Sequence, residues 1–182
     1  MSTESKNTSL AMKTILVVSL IAVAAALRIA PHPWNFTPIG AMAIFSGAML
    51  RSRWMKFTLP LLALFAGDIF VGFHKLIPVV YASFLFSVAI GMWLEKRRSV
   101  PRIGAATLAG AAQFFLVTNF AVWLAFDTYP RTLPGLAACY AAGLPLFANT
   151  LAGDALYVAL LFGGFALAER LVLPGRHTFE LK

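Results

Sequence analysis

Three ionisable side chains stand where apolar sequence leaves little room for charge. Arg28 ends one apolar run, Asp68 lies within another and Asp154 within the last. At bilayer depth such a group costs roughly 2.5–3.5 kcal/mol even on the gentler insertion scale, so it must face protein or water. Asp68 needs a partner, and Arg28 is the obvious one; their pair could be structural or could hold the charged group of a ligand. For Asp154 a neutral helix-packing role and a ligand role are equally open. In the same half of the apolar runs, or in the loops beside them, lie His32, Trp34, Asn35, His74, Tyr81, Asn119, Trp123, Tyr129 and Asn149. Arg28 and His32 suit an anionic or polar group, and Trp34, Tyr81, Trp123 and Tyr129 offer stacking faces. Asp68, Asn119 and Asn149 are the orienting hydrogen bonders. Together with Asn35 and His74 these residues form the candidate substrate-binding set. The plainer alternative makes Asp68, Asn119 and Asn149 interhelical glue and Trp34 an interfacial anchor.

Other chemistry finds less support. There is no Gly-x-Ser-x-Gly, no His-Glu-x-x-His and no closely spaced carboxylate pair. Asp68 and His74, six residues apart near a helix end, are a thin basis for an acid/base pair. His32 and His74 with a carboxylate could bind a transition metal, but no local ligand spacing supports it. No catalytic residue, metal or cofactor is therefore expected. The single cysteine, Cys139, cannot form an internal disulfide and reads as a small buried hydrophobe.

The first loop between apolar runs carries Arg28, His32, Trp34 and Asn35 among three prolines, Pro31, Pro33 and Pro38. Proline stiffens the backbone and forbids continuous helix there. Such a frame suits a recognition surface or a lid, because little entropy is lost on binding.

The elements that must hold these groups are apolar helices. Of 182 residues, 60% are apolar and 12% charged, and mean hydropathy is +0.80. A soluble domain is nearer a quarter charged. That excludes an ordinary soluble enzyme, a disordered regulator and a disulfide-stapled secreted domain. With about 20 residues per span, the length allows roughly six spans and no separate nucleotide-binding domain. Blocks run from about Thr14 to Ala30, from Thr37 to just before Arg51, and from Phe57 to Phe73, Leu76 to Leu94 and Ile103 to Phe126. In the last apolar stretch, Pro134-Gly135 and Gly143-Leu144-Pro145 predict a short outer segment over 136–142 and then a helix from Pro145 to Arg170. No strand alternation persists. The expected fold is an all-α integral membrane protein with about six transmembrane helices in one bundle. Its single transmembrane domain would cover 13–173, flanked by tails at 1–12 and 174–182. The second block is short: about 14 residues reach only about 21 Å against a hydrocarbon core of about 30 Å. It must extend, thin the bilayer or pack inside the bundle beside a cavity.

The net charge is +8 and the isoelectric point near 10.2. The basic residues cluster at block ends, which points to lipid topology rather than nucleic acid. With the amino terminus inside, twelve Lys/Arg fall on the inner side and three, Arg28, Lys75 and Arg131, on the outer. Both termini are expected in the cytoplasm, and the polar residues converge on the outer half. Lys13 followed by the run from Ile15 to Ala26 could also be read as a cleaved signal peptide, leaving five spans.

On the first block Ala22, Ala26 and Ala30 repeat every four residues, a spacing that lets another helix approach closely. The phrases Thr37-Pro38-Ile39-Gly40-Ala41, Ala66-Gly67-Asp68-Ile69, Thr118-Asn119-Phe120-Ala121-Val122-Trp123 and Asn149-Thr150-Leu151-Ala152-Gly153-Asp154 add to the pattern. The chain resembles the S components of energy-coupling-factor (ECF) vitamin transporters, through a group of bacterial membrane proteins related to them. The resemblance implies a six-helix binding subunit in the bacterial cytoplasmic membrane, with an outward site for a small water-soluble nutrient. It also implies docking of Ala22 and Ala26 against a membrane coupling subunit with ATPases. Cobalamin is one candidate substrate among several. The competing expectations are a scaffold subunit of a cell-envelope or cell-shape complex and an intramembrane enzyme.

Overall fold

The computed structural model describes residues 3–28 and 31–172, and among these all regular structure is helical. The order is α1 (Thr3–Leu27), α2 (Ile39–Met49), α3 (Arg53–Val71), α4 (Ile77–Met92), α5 (Val100–Ala125) and α6 (Leu133–Val172). Helix α1 starts at Thr3, so the stretch expected as an amino-terminal tail is helical from there. The expected tail at 174–182 lies outside the described residues.

The number of spans is not six. Four of the described helices are long and apolar enough to cross a membrane: α1, α3, α5 and α6. The other two are shorter. At 1.5 Å per residue the 11 residues of α2 reach about 16 Å and the 16 of α4 about 24 Å, against a core of about 30 Å. Hydropathy alone does not separate a buried core helix from a span.

A second correction concerns the last helix. The outer segment over 136–142 and the helix from Pro145 are one continuous element of 40 residues, with Pro145 inside it. Proline removes one helical hydrogen bond but already holds a helical φ. Here α6 lies along α5 over a long interface, and packing outweighs the local breaker.

Helix α2 is the axle of the bundle, touching all five other helices. Ile39 and every residue from Ala41 to Ala48 are buried, as expected of a helix that is apolar all round. Phe45 meets Phe162 of α6 edge-on, ring centroids 5.1 Å apart. Pro60, within α3, leaves the carbonyl of Lys56 without its helical donor. Ser46 of α2 supplies the replacement, its hydroxyl donating to that carbonyl at 2.8 Å. Ser52 caps the start of α3 by accepting from the Met55 N–H. Gly72, with φ of 102°, ends the helix in a conformation that favours glycine.

Burial is inverted relative to a water-soluble domain. Large apolar side chains such as Leu62, Phe70, Val71 and Leu171 are exposed, while Lys56, Asp68, Asp154 and Glu169 are buried. Lys56 pairs with Glu95 and Lys13 with Glu169, both near the same end of the bundle. There Arg98 donates to the Ala48 carbonyl at 2.8 Å, placing a cation at the carboxyl end of α2. Burial lowers the Arg98 pKa, and the nearby Glu169 carboxylate works against that shift. These ion pairs lie in the half of the bundle opposite the one on which the polar residues were expected to converge.

Candidate functional site

At the opposite end, the turn after α1 carries Arg28 across to α3. Its Nη2 donates to Asp68 Oδ1, so the pairing expected from sequence is formed. Tyr81 of α4 donates its hydroxyl to the other carboxylate oxygen of Asp68 at 2.7 Å. Gly67 makes this possible, because a Cβ there would collide with the Arg28 side chain. One carboxylate thus joins three elements, and the charge of Arg28 is neutralised where it is largely buried.

The proline-rich loop is tied to α6. Asn149 Nδ2 donates to the Trp34 carbonyl at 3.0 Å. The Phe36 ring sits 6.0 Å from that of Tyr157, and a Cβ on Gly153 would press against the Phe36 and Thr37 backbone. Asn35 takes the left-handed conformation, φ 61°, a region that asparagine tolerates better than most residues. His32 ring nitrogens lie 2.9 Å from the Pro33 carbonyl and 3.1 Å from that of Arg28.

Beneath this loop lies a cavity of about 340 Å³, to which every helix or its flanking turn contributes. Its polar lining includes Arg28, Asn35, Thr37, His74, Ser87, Thr118, Asn119, Thr150 and Asp154. Its aromatic lining is Phe84, Phe114, Phe115 and Phe147. Phe84 stacks on Phe114 at 5.2 Å, and Phe115 meets Phe147 at 4.9 Å. Asp154 accepts the Ala41 N–H at 3.1 Å. Ala41 is in the first turn of α2, where backbone donors have no intrahelical partner. The carboxylate therefore caps α2 from another helix, on the favourable end of its dipole.

Of the sequence-derived set, Arg28, Asn35, His74 and Asn119 line the cavity, and Asp68 and Tyr81 join it through Arg28. The remaining five stand elsewhere. His32 and Asn149 brace the loop, and Trp34 is 84% exposed. Trp123 donates to the Pro130 carbonyl at 2.8 Å under the Arg131 guanidinium. Tyr129 is half-buried in the turn after α5. The aromatic faces that line the cavity are phenylalanines, and sequence reasoning missed them because 16 Phe are spread along the chain. Asp154 was legible as an in-span carboxylate; its place opposite Gly40 of α2 was not. Cys139 is buried, its thiol 3.4 Å from the Asn119 carbonyl. On α1, Ala22 and Ala26 are exposed and Ala24 is buried; Ala30 lies outside the described residues.

An all-helical bundle with an apolar exterior and a polar, aromatic-walled cavity at one end is the class these features define. Residues 8–176 match the model of a family of unknown function, DUF6580, and the chain belongs to that family. No curated protein and no solved structure matches it.

Proposed function

We infer that this chain is a multi-pass protein of the bacterial cytoplasmic membrane that binds a small, water-soluble, vitamin-like nutrient and serves its uptake, rather than catalysing a reaction. The observation that carries the reading is the cavity. Its volume of about 340 Å³ falls within the range of small-molecule sites, and its lining mixes apolar rings with a few convergent polar groups.

Orientation follows from charge. Arg51, Arg53, Lys96, Arg97, Arg98, Arg102 and Arg170 belong to the end away from the cavity, and by the positive-inside rule this supports a cytoplasmic position for that end and both termini. The cavity then faces outward, under the stiff loop. The resemblance to ECF S components supplies a partner, a coupling subunit with ATPases docking on the face of α1 that exposes Ala22 and Ala26. A scaffold subunit of an envelope complex would use that face equally well but has no need of the cavity.

The test is mass spectrometry of small molecules released from the purified, detergent-solubilised chain. Thr118→Trp, which fills the cavity, is the comparison. A compound retained by the native chain and absent from the variant supports the reading. Equal amounts from both, or a stoichiometric protein partner with no small molecule, overturn it.

A further inference from the structure

We propose that the ligand is a small aromatic cation and that Asp154 holds its charged nitrogen. The proposal rests on reading the cavity as a ligand site and names the class of compound it takes. Three charged or titratable side chains line the cavity: Arg28, His74 and Asp154. Arg28 is committed to Asp68. Asp154 differs from Asp68 in having no counterion. Among the described residues no Lys, Arg or His forms an ion pair with it, and its one hydrogen bond is from the Ala41 N–H to Oδ1. The residue is 3% exposed, so an ionised carboxylate there gains little from water and most from a cation beside it.

Capping α2 does not by itself require a carboxylate. An asparagine or serine oxygen accepts an N–H as well, without the cost of burying a charge. A carboxylate kept at this depth beside open volume is matched to a cation arriving from outside. The walls agree with that assignment. Phe84, Phe114, Phe115 and Phe147 line the same cavity, and aromatic rings attract cations and accommodate a flat ring. Gly40 keeps the carboxylate in place, since any Cβ there would collide with both of its oxygens.

Benzamidine, benzamide and benzoate share one shape and differ in charge, and binding of each is measured by calorimetry on the full chain in detergent. Benzamidine should bind the native chain about tenfold or more tighter than benzamide, and benzoate more weakly still. Asp154→Asn keeps the acceptor for Ala41 and should bring benzamidine and benzamide to within about threefold of each other. Thr118→Trp should abolish binding of all three. Benzamide equal to benzamidine on the native chain overturns the cation assignment without need of a variant that folds, as does an Asp154→Asn chain that keeps the preference. If binding survives Thr118→Trp, or none of the three binds the native chain at millimolar concentration, the ligand-site reading of the cavity fails with it.

Discussion

Glycine does different work at the two ends of this bundle. At the basic end Gly47 of α2 and Gly91 of α4 bring two backbones together: a Cβ on Gly47 would strike the Val88 carbonyl, and one on Gly91 the Ile44 carbonyl. At the cavity end Gly40 and Gly67 face polar side chains instead, the Asp154 carboxylate and the Arg28 stem. The first arrangement locks α2 to α4, because neither backbone can yield without moving a helix. The second makes room for charged side chains, each held by a partner on another element. One pair of glycines sets the spacing of two helices, and the other sets the spacing of a helix and a charged side chain.

The largest effect should come from the polar end. Asp68→Ala strands the Arg28 guanidinium, whose side chain is 11% exposed. Removing one partner of a buried pair costs about 3–5 kcal/mol, read as a lowered unfolding free energy in detergent. A loss below about 1 kcal/mol would mean the pair is solvated and the end is not closed around it. Next is Gly91→Ala, which overpacks backbone against backbone. The expected loss is about 2 kcal/mol, after the roughly 1 kcal/mol that alanine gains over glycine in a helix. No loss would show that α2 and α4 can separate.

Gly40→Ala should sharpen the contrast. The helix gain and the displaced Asp154 carboxylate offset each other to within about 1 kcal/mol, while retention of any bound small molecule falls. Equal losses of stability for Gly40→Ala and Gly91→Ala would erase the distinction between the ends. The smallest effect belongs to Arg131→Ala. Its 3.5 Å pair with the fully exposed Asp127 and its place over the Trp123 ring both lie at the surface, and the change in unfolding free energy should stay within about 1 kcal/mol.

Much of the scaffold could be read from residues. The apolar blocks located six helices, the shortness of the second block left packing inside the bundle as one of three options, and Asp68 with Arg28 declared a pair because an unpaired charge is costly there. Other features were hidden for identifiable reasons. Pro145 and Gly143 look like a break, yet α6 continues because its neighbours hold it. Lys13–Glu169 and Lys56–Glu95 join residues far apart in the chain, and no local pattern announces them. Trp and Tyr attract attention as stacking groups, but Phe lines the cavity.

By itself the sequence determined the helical class, the polarity of the two ends and the partner of Asp68. Those follow from local composition and from the cost of charge in an apolar setting. Only tertiary structure decided which helices are long enough to span and which rings face the cavity. It also decided that, among the described residues, Asp154 rather than Asp68 is the in-span carboxylate without an ion-pair partner. These depend on which helix faces mate, and that depends on shape across the whole bundle rather than on any stretch of the chain.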